Sequence, residues 1–500
     1  MPELLRPPEV KLPEELVKGL WRMNPWWGGD PLPALPVTRR HLVRQIHLRL
    51  ERRLAPAVVV RGPRQIGKTT AQLHVLQDLL DSGVPPRNIF RVQADELTEI
   101  EAFSEPILRL VDWYEQEILG QTLNRVAHQG QPTYLLFDEV QNLRNWAPQI
   151  KLLVDHSTTQ VLITGSSALR IELGRDSLAG RITTIEAGVL SLTEIAAFRG
   201  IDLGSPFLAD NGLAPLTQQE FWRELVAHGR RLAEPRDLAF QFFSERGGYP
   251  LAHQQTDADW SNLADQLNET VIRRVIQHDL RLGARGRKRD ALLLEQVFRL
   301  ACRYVGQTPG VELFARETRR ALGTDVTPQR ILTYLRFLGD TLLLRLIEPL
   351  EIRLKKNRGN AKICLSDHGL RASWLQEVVP IDPVALSRDP HLHLLAGRIA
   401  ESVVGATLST ISNLDLSHLP ARDDQLEIDF ILTIGTKRIP LEVKYQRRID
   451  PLGDTEGLRT FLEKSVNNAP FGILISLTDT EDVVDPRIVT LPLSTLMLLR

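Results

Sequence analysis

The stretch Ala57-Val58-Val59-Val60-Arg61-Gly62-Pro63-Arg64-Gln65-Ile66-Gly67-Lys68-Thr69-Thr70 decides how the first half of this chain folds. Val58 to Arg61 reads as a short buried strand, and an apolar pattern of helical period runs from Thr70 to Leu80. Between them lies G-x-x-x-x-G-K-[ST], whose glycines let backbone N–H groups curl around phosphate oxygens at a helix N-terminus. Residues Gly62, Pro63, Arg64, Gln65, Ile66, Gly67, Lys68, Thr69 and Thr70 are therefore the expected nucleotide-binding set. Lys68 is expected to reach the β- and γ-phosphates, and the Thr69 hydroxyl to sit on Mg²⁺.

Downstream, Ile89–Val92, Thr133–Phe137 and Gln160–Thr164 are continuous apolar runs of the kind buried on both faces of a parallel sheet. The run ending at Phe137 leads into Asp138-Glu139, two carboxylates at the carboxyl edge of the sheet beside the loop. Asp138 is expected to hold the Mg²⁺ water shell and Glu139 to orient the attacking water. The run ending at Thr164 leads into Gly165-Ser166-Ser167, where Ser166 suits a γ-phosphate sensor. Arg181 in Leu178-Ala179-Gly180-Arg181 is the candidate arginine finger, acting in trans in an oligomer, with Arg170 and Arg175 as competitors.

Together with Leu190-Ser191-Leu192-Thr193-Glu194, these motifs resemble the prokaryotic AAA-type ATPases that carry a C-terminal domain of unknown function. The likeness extends through Gly247-Gly248-Tyr249-Pro250, Leu365-Ser366-Asp367-His368-Gly369-Leu370 and Ile439–Tyr445. It implies ATP and Mg²⁺ as cofactors and an ATPase reaction, with Lys68, Glu139 and Arg181 as its catalytic residues.

The expected organisation is α/β. An N-terminal approach segment covers residues 1–38, a P-loop NTPase core of AAA type residues 39–200, and a helical lid residues 201–290. Residues 291–355 read as a winged helix-turn-helix, from the order helix, turn, helix and then a hairpin of 341–347 with 350–354. Residues 356–500 return to mixed α/β, with strands at about 426–434, 437–445 and 471–476.

In that last region Glu442 and Lys444 share one face of a strand, Asp429 lies in an upstream strand, and Glu401 lies on a helix-like run. Charged residues flanked this closely by apolar ones are expensive to bury unpaired. The four resemble the PD-(D/E)XK nuclease arrangement, in a restriction-endonuclease-like fold. The resemblance implies a second Mg²⁺ on Glu401, Asp429 and Glu442, with Lys444 as catalytic lysine. A salt-bridged relic of such a site fits the same residues.

Composition excludes several classes. With 43% hydrophobic and 25% charged residues the chain reads as globular, and no apolar run approaches the roughly 20 residues of a membrane span. Cys302 and Cys364 have no paired spacing, which fits a reduced, cytoplasmic protein without structural zinc. His278 and His368 lack metal-like companions and read as surface or packing residues. The net charge of −1 hides a basic run, Arg281 to Arg289, that suits phosphate. DNA is thus an expected partner, a protein partner or a homo-oligomer the other. Three functions remain open: an ATPase acting on or near DNA, an ATP-dependent protein-interaction switch with an inactive nuclease-like domain, and an ATP-gated metal-dependent nuclease.

Overall fold

The computed structural model describes residues 10–97, 100, 103–165, 178–208, 212–255, 258–277, 290–351, 359–421, 426–479 and 483–500. Two compact units, Met1–Ala187 and Gly188–Arg500, make up the chain. Among the described residues no helix is long and apolar enough to cross a membrane.

The first unit is built on a five-stranded parallel sheet: β1 (Ala57–Arg61), β2 (Ile89–Gln93), β3 (Tyr134–Asp138), β4 (Gln160–Gly165) and β5 (Ile182–Glu186), in spatial order β2-β3-β4-β1-β5. Val58, Val59 and Val60, like Leu135, Leu136 and Phe137, are fully buried. Burial on both faces explains why these strands read as unbroken apolar runs rather than alternating ones. The order reverses at β1. The chain leaves β1 for the far edge at β2, returns through β3 and β4, and then places β5 on the other side. The crevice at such a reversal, outside the carboxyl ends of the strands, is where open α/β sheets bind ligands.

Three helices matter here: α1 (Glu14–Met23), α2 (His41–Arg52) and α3 (Lys68–Asp81). The N-terminal stretch is more than an approach segment. Leu16 and Leu20 of α1 are buried in the core of this unit. Asn24 donates to the Arg91 carbonyl at 2.9 Å and accepts from the Arg91 amide at 2.7 Å, while the Trp26 and Trp27 indoles donate to the Ile89 carbonyl. β2 is an edge strand, and this segment satisfies backbone groups that an exposed edge would present to other chains.

The second unit begins with helices that include Leu192–Phe198, Ala233–Arg246 and Pro250–Gln254. Between the last two, Gly247-Gly248 packs so closely that a Cβ on Gly248 would lie 2.8 Å from Val189 Cγ2. The Asp367 carboxylate, itself buried, accepts the amides of Gly248 and Gly369. The two glycine-bearing motifs therefore clasp each other, and His368 is packing beside them, its Nε2 3.1 Å from the Ser244 carbonyl.

Three helices, Ala291–Arg303, Val311–Leu322 and Pro328–Asp340, then precede the antiparallel pair β6 (Leu344–Ile347) and β7 (Lys362–Leu365). Of the expected hairpin of 341–347 with 350–354, residues 352–354 lie outside the described residues, and the first strand is shorter than expected. Thr341 caps the preceding helix and Leu342 turns with φ +60°, so β6 starts only at Leu344. After it, Pro349 and Leu350 run beside His418, the Leu350 amide donating to the His418 carbonyl at 2.8 Å, and among the described residues β6 pairs with β7.

The last sheet has β8 (Asp415–Leu419), β9 (Ile428–Ile434), β10 (Lys437–Lys444), β11 (Gly472–Ser476) and β12 (Ile488–Pro492) in order β12-β11-β10-β9-β8. β8, β9 and β10 are antiparallel neighbours, and β10, β11 and β12 are parallel. The helix His393–Leu408 contacts β7 and β10.

Candidate functional sites

The phosphate loop follows β1 and ends at α3. Gln65 and Gly67 take φ of +61° and +86°, and a Cβ on Gly62 would lie 2.4 Å from the Ala187 carbonyl oxygen. Only glycine fits there, and left-handed backbone at Gly67 costs no Cβ clash. The loop delivers Lys68 and Thr69 to the first turn of α3.

Lys68 is buried, its ammonium donating to the carbonyls of Gly62 (3.1 Å) and Pro63 (2.6 Å). Burial lowers its pKa to about 8, with Arg64 and Arg40 pushing the same way and Glu139 and Asp138 opposing. The Thr69 hydroxyl donates to Asp138 Oδ2 at 2.7 Å, joining the loop to the end of β3. Asp138 is further held by the Thr164 hydroxyl of β4 and faces Arg91 of β2, Nη2 3.6 Å away. Arg91 in turn bonds Gln72 of α3 at 3.1 Å, so β2, β3, β4 and α3 all meet at this carboxylate. Glu139, half-buried, sits in left-handed backbone with φ +50° and accepts from the Gln141 amide. A non-glycine residue there costs of order 1 kcal/mol, a strain that clusters at functional sites.

Other expected residues are not brought together. Arg181 precedes β5, and its carbonyl accepts from Ala57 at the start of β1. That is the edge of the sheet opposite the loop, about 13 Å of strand away. Its side chain forms a two-pronged pair with Asp155, at 2.5 and 2.9 Å. Arg181 is therefore not brought to the phosphate loop of its own chain. Ser166, Ser167, Arg170, Arg175, His278 and the basic run from Arg281 to Arg289 lie outside the described residues.

A second cluster forms in the second unit. Between Ser417↔Ile431 and Leu419↔Ile428 the register slips by one, so β9 carries a bulge at Asp429-Phe430. Bulges re-aim side chains. Here both residues meet Lys362 of β7, whose ammonium bonds Asp429 Oδ1 at 2.8 Å, bonds Glu401 Oε1 and lies 5.1 Å from the Phe430 ring centroid. Lys362 is 1% exposed. Burial would lower its pKa, but Asp429 and Glu401 outweigh that and hold it charged. Burial and the Asp429 charge push Glu401 well up. Asp429 itself stays low despite burial, because Lys362, Glu401 and the Val443 amide all favour its anion. Glu442 pairs with Lys444 at 2.9 Å and is raised to about 8 by burial and by Asp429.

The acids expected to share a divalent ion thus lie together, but the cation between Glu401 and Asp429 is the Lys362 ammonium. Among the described residues no group of three or more His, Cys, Asp or Glu is disposed to hold a metal ion. Sequence reasoning overlooked Lys362, although its setting in Lys362-Ile363-Cys364-Leu365 is the same signal, a charge among apolar neighbours, that singled out Glu442. It also overlooked Arg40, Gln72 and Arg91.

Residues 55–196 match the AAA domain family, residues 238–378 a domain of unknown function (DUF8612), and residues 396–496 another (DUF4143). Uncharacterized proteins of Mycobacterium bovis and Mycobacterium tuberculosis are each 24% identical over 386 residues, which is 73% of this chain and 69% of theirs. Among solved structures, Cdc6p from Pyrobaculum aerophilum aligns over 71% of this chain and 97% of its own at 11% identity and a TM-score of 0.25. Drosophila ORC bound to DNA aligns over 75% and 96% at 18% identity and the same TM-score of 0.25. A score that low establishes no common fold. The parallel sheet and the phosphate loop agree with the match of residues 55–196 to the AAA domain family, and support an AAA-type P-loop fold for that stretch.

Proposed function

We propose that the chain binds Mg-ATP at the phosphate loop, hydrolyses it, and acts on or near DNA. The observation that carries the nucleotide reading is the Thr69–Asp138 contact at 2.7 Å, which sets two oxygen ligands side by side next to the Lys68 ammonium. That donor set, a hydroxyl and a carboxylate, suits Mg²⁺ held mainly by water and phosphate. When bound, the ion would neutralise charge on the β- and γ-phosphates. Lys68 leaves its two carbonyl acceptors to meet phosphate, and the loop amides and the N-terminus of α3 hold the remaining charge. Glu139 orients the water, and Gln141 fixes the carboxylate that does so.

The test is a pair of variants. Lys68→Ala abolishes tight ATP binding in a titration. Glu139→Gln keeps ATP bound and slows turnover by about 10²-fold or more, the range for a lost general base. Unchanged affinity in the first, or unchanged turnover in the second, defeats the corresponding role.

The DNA reading rests on the three helices and the β6–β7 pair, whose order is that of a winged helix. Arg316, Arg319, Arg320, Arg330 and Arg336 are exposed on the second and third of these helices. That is the element order in which a recognition helix meets the major groove.

For the acidic cluster, the position of Lys362 favours an ion-paired binding module over a metal-dependent nuclease. A buried ammonium that bonds both Glu401 and Asp429 competes with a divalent ion for the same carboxylates. The nucleotide-dependent interaction switch is therefore the second reading. Incubation with labelled single- and double-stranded DNA, ATP and Mg²⁺ or Mn²⁺ varied independently, decides it: metal-dependent cleavage lost in Lys444→Ala restores the nuclease.

A further inference from the structure

The segment that leads into α2 is fastened to α3 at several points. Arg39 pairs with Asp78 at 2.5 Å, His47 Nε2 lies 2.9 Å from the other oxygen of the same carboxylate, and His74 Nε2 meets the Pro36 carbonyl at 2.9 Å. So fastened, the segment carries Arg40 across the phosphate loop. Arg40 Nη1 donates to the Ile66 carbonyl at 2.6 Å, and its Cδ would lie 3.6 Å from a Cβ on Gly67.

Loop geometry gives that bond a consequence. For the amides of residues 62–69 to face a phosphate, the carbonyls between the two left-handed residues Gln65 and Gly67 must point away from it, and an outward carbonyl needs a donor. Arg40 is that donor at Ile66. A guanidinium is a charged donor, and it makes a stronger bond to a carbonyl than a neutral group does. The donor comes from outside the loop, on a segment tied to the very helix that Lys68 begins.

We propose that Arg40 is a positioning residue for the phosphate loop, setting the Ile66 carbonyl outward so that the loop amides are organised for nucleotide phosphate before it arrives. This rests on the ATP reading above. It places a determinant of nucleotide affinity seventeen residues before β1 begins, outside residues 55–196 of the AAA match.

Pre-organisation acts on ground-state and transition-state binding alike, so it raises affinity and leaves kcat alone. In the full chain, Arg40→Ala raises KM for ATP about tenfold, the effect of one charged hydrogen bond, with kcat unchanged. Arg40→Lys, which keeps the charge and one donor, recovers most of the loss and serves if the alanine variant folds poorly. Arg44→Ala removes an exposed charge from α2 without touching the loop contact or the fastenings, and leaves KM as it was. An unchanged KM in Arg40→Ala, a fall in kcat instead, or an equal KM rise in Arg44→Ala overturns the inference. Wild-type protein that fails to retain ATP overturns the ATP reading itself, a separate outcome visible before any variant is made.

Discussion

Lys68 makes ATP affinity depend on pH in a way that can be worked from its surroundings. Burial lowers its pKa to about 8 in the protein without nucleotide, its ammonium resting on the Gly62 and Pro63 carbonyls. Phosphate would stabilise the charged form, so binding ATP requires the proton. Below pH 8 the ammonium is already present and affinity is full; as pH rises through 8 the neutral amine must first be protonated, and affinity falls. At pH 7 the protonated fraction is about nine-tenths and at pH 9 about one-tenth, so affinity drops about tenfold, or about 1.4 kcal/mol. Binding at pH 8 should take up about half a proton. Isothermal titration in two buffers of different ionisation enthalpy measures that uptake directly, and Lys68→Arg, which does not titrate in this range, should show none. Equal affinity at pH 7 and pH 9 with no proton uptake at pH 8 would refute the burial argument, leaving Lys68 hydrated where the structure encloses it.

The other predictions concern the second unit. Lys362→Ala leaves Glu401 and Asp429 facing each other without a cation, and should cost about 3–5 kcal/mol, the usual effect of breaking a buried pair; the denaturation midpoint reports it. Lys362→Met combined with Glu401→Gln and Asp429→Asn removes the ammonium and its two hydrogen-bonded acids, leaving only the half-exposed Glu427 3.8 Å from the ammonium's place, and should recover most of the loss, whereas a triple variant as unstable as Lys362→Ala would show that packing, not charge, is at stake. If the three-helix module meets DNA, replacing Arg316, Arg330 and Arg336 by Ala should lower affinity and reduce the slope of log K against log salt by about 0.9 for each phosphate that is no longer neutralised. An unchanged slope would move the DNA-binding surface elsewhere or favour a protein partner.

The first unit was legible because its signals are local. A G-x-x-x-x-G-K-[ST] loop between an apolar run and a helical pattern sets backbone and chemistry within a few residues, and β1 to β4 came out within a residue or two of expectation. β5 was not anticipated: Ile182-Thr183-Thr184-Ile185-Glu186 is mostly half-buried at the sheet edge and has no continuous apolar run. The residues that organise the Asp138 carboxylate were invisible for another reason. Arg91 and Gln72 act from β2 and α3, and their meeting depends on a strand order that no short stretch encodes.

The acidic cluster shows the same limit more sharply. Glu442 and Lys444 were found because a two-residue spacing puts them on one strand face, and Asp429 and Glu401 because charges among apolar residues need partners. That rule applies equally to Lys362, whose strand pairs with β6 in a different sheet, while the acids belong to the helix His393–Leu408 and to β9 and β10. The two family matches that cover this unit likewise divide the cluster, Lys362 falling in 238–378 and the acids in 396–496. A buried ammonium shared between the two matched regions ties them to each other electrostatically. Neither region then satisfies its buried charge alone, since the first would leave Lys362 unpaired and the second would leave Glu401 and Asp429 in mutual repulsion. The two are therefore expected to fold as one unit, in keeping with the single compact body from Gly188 to Arg500.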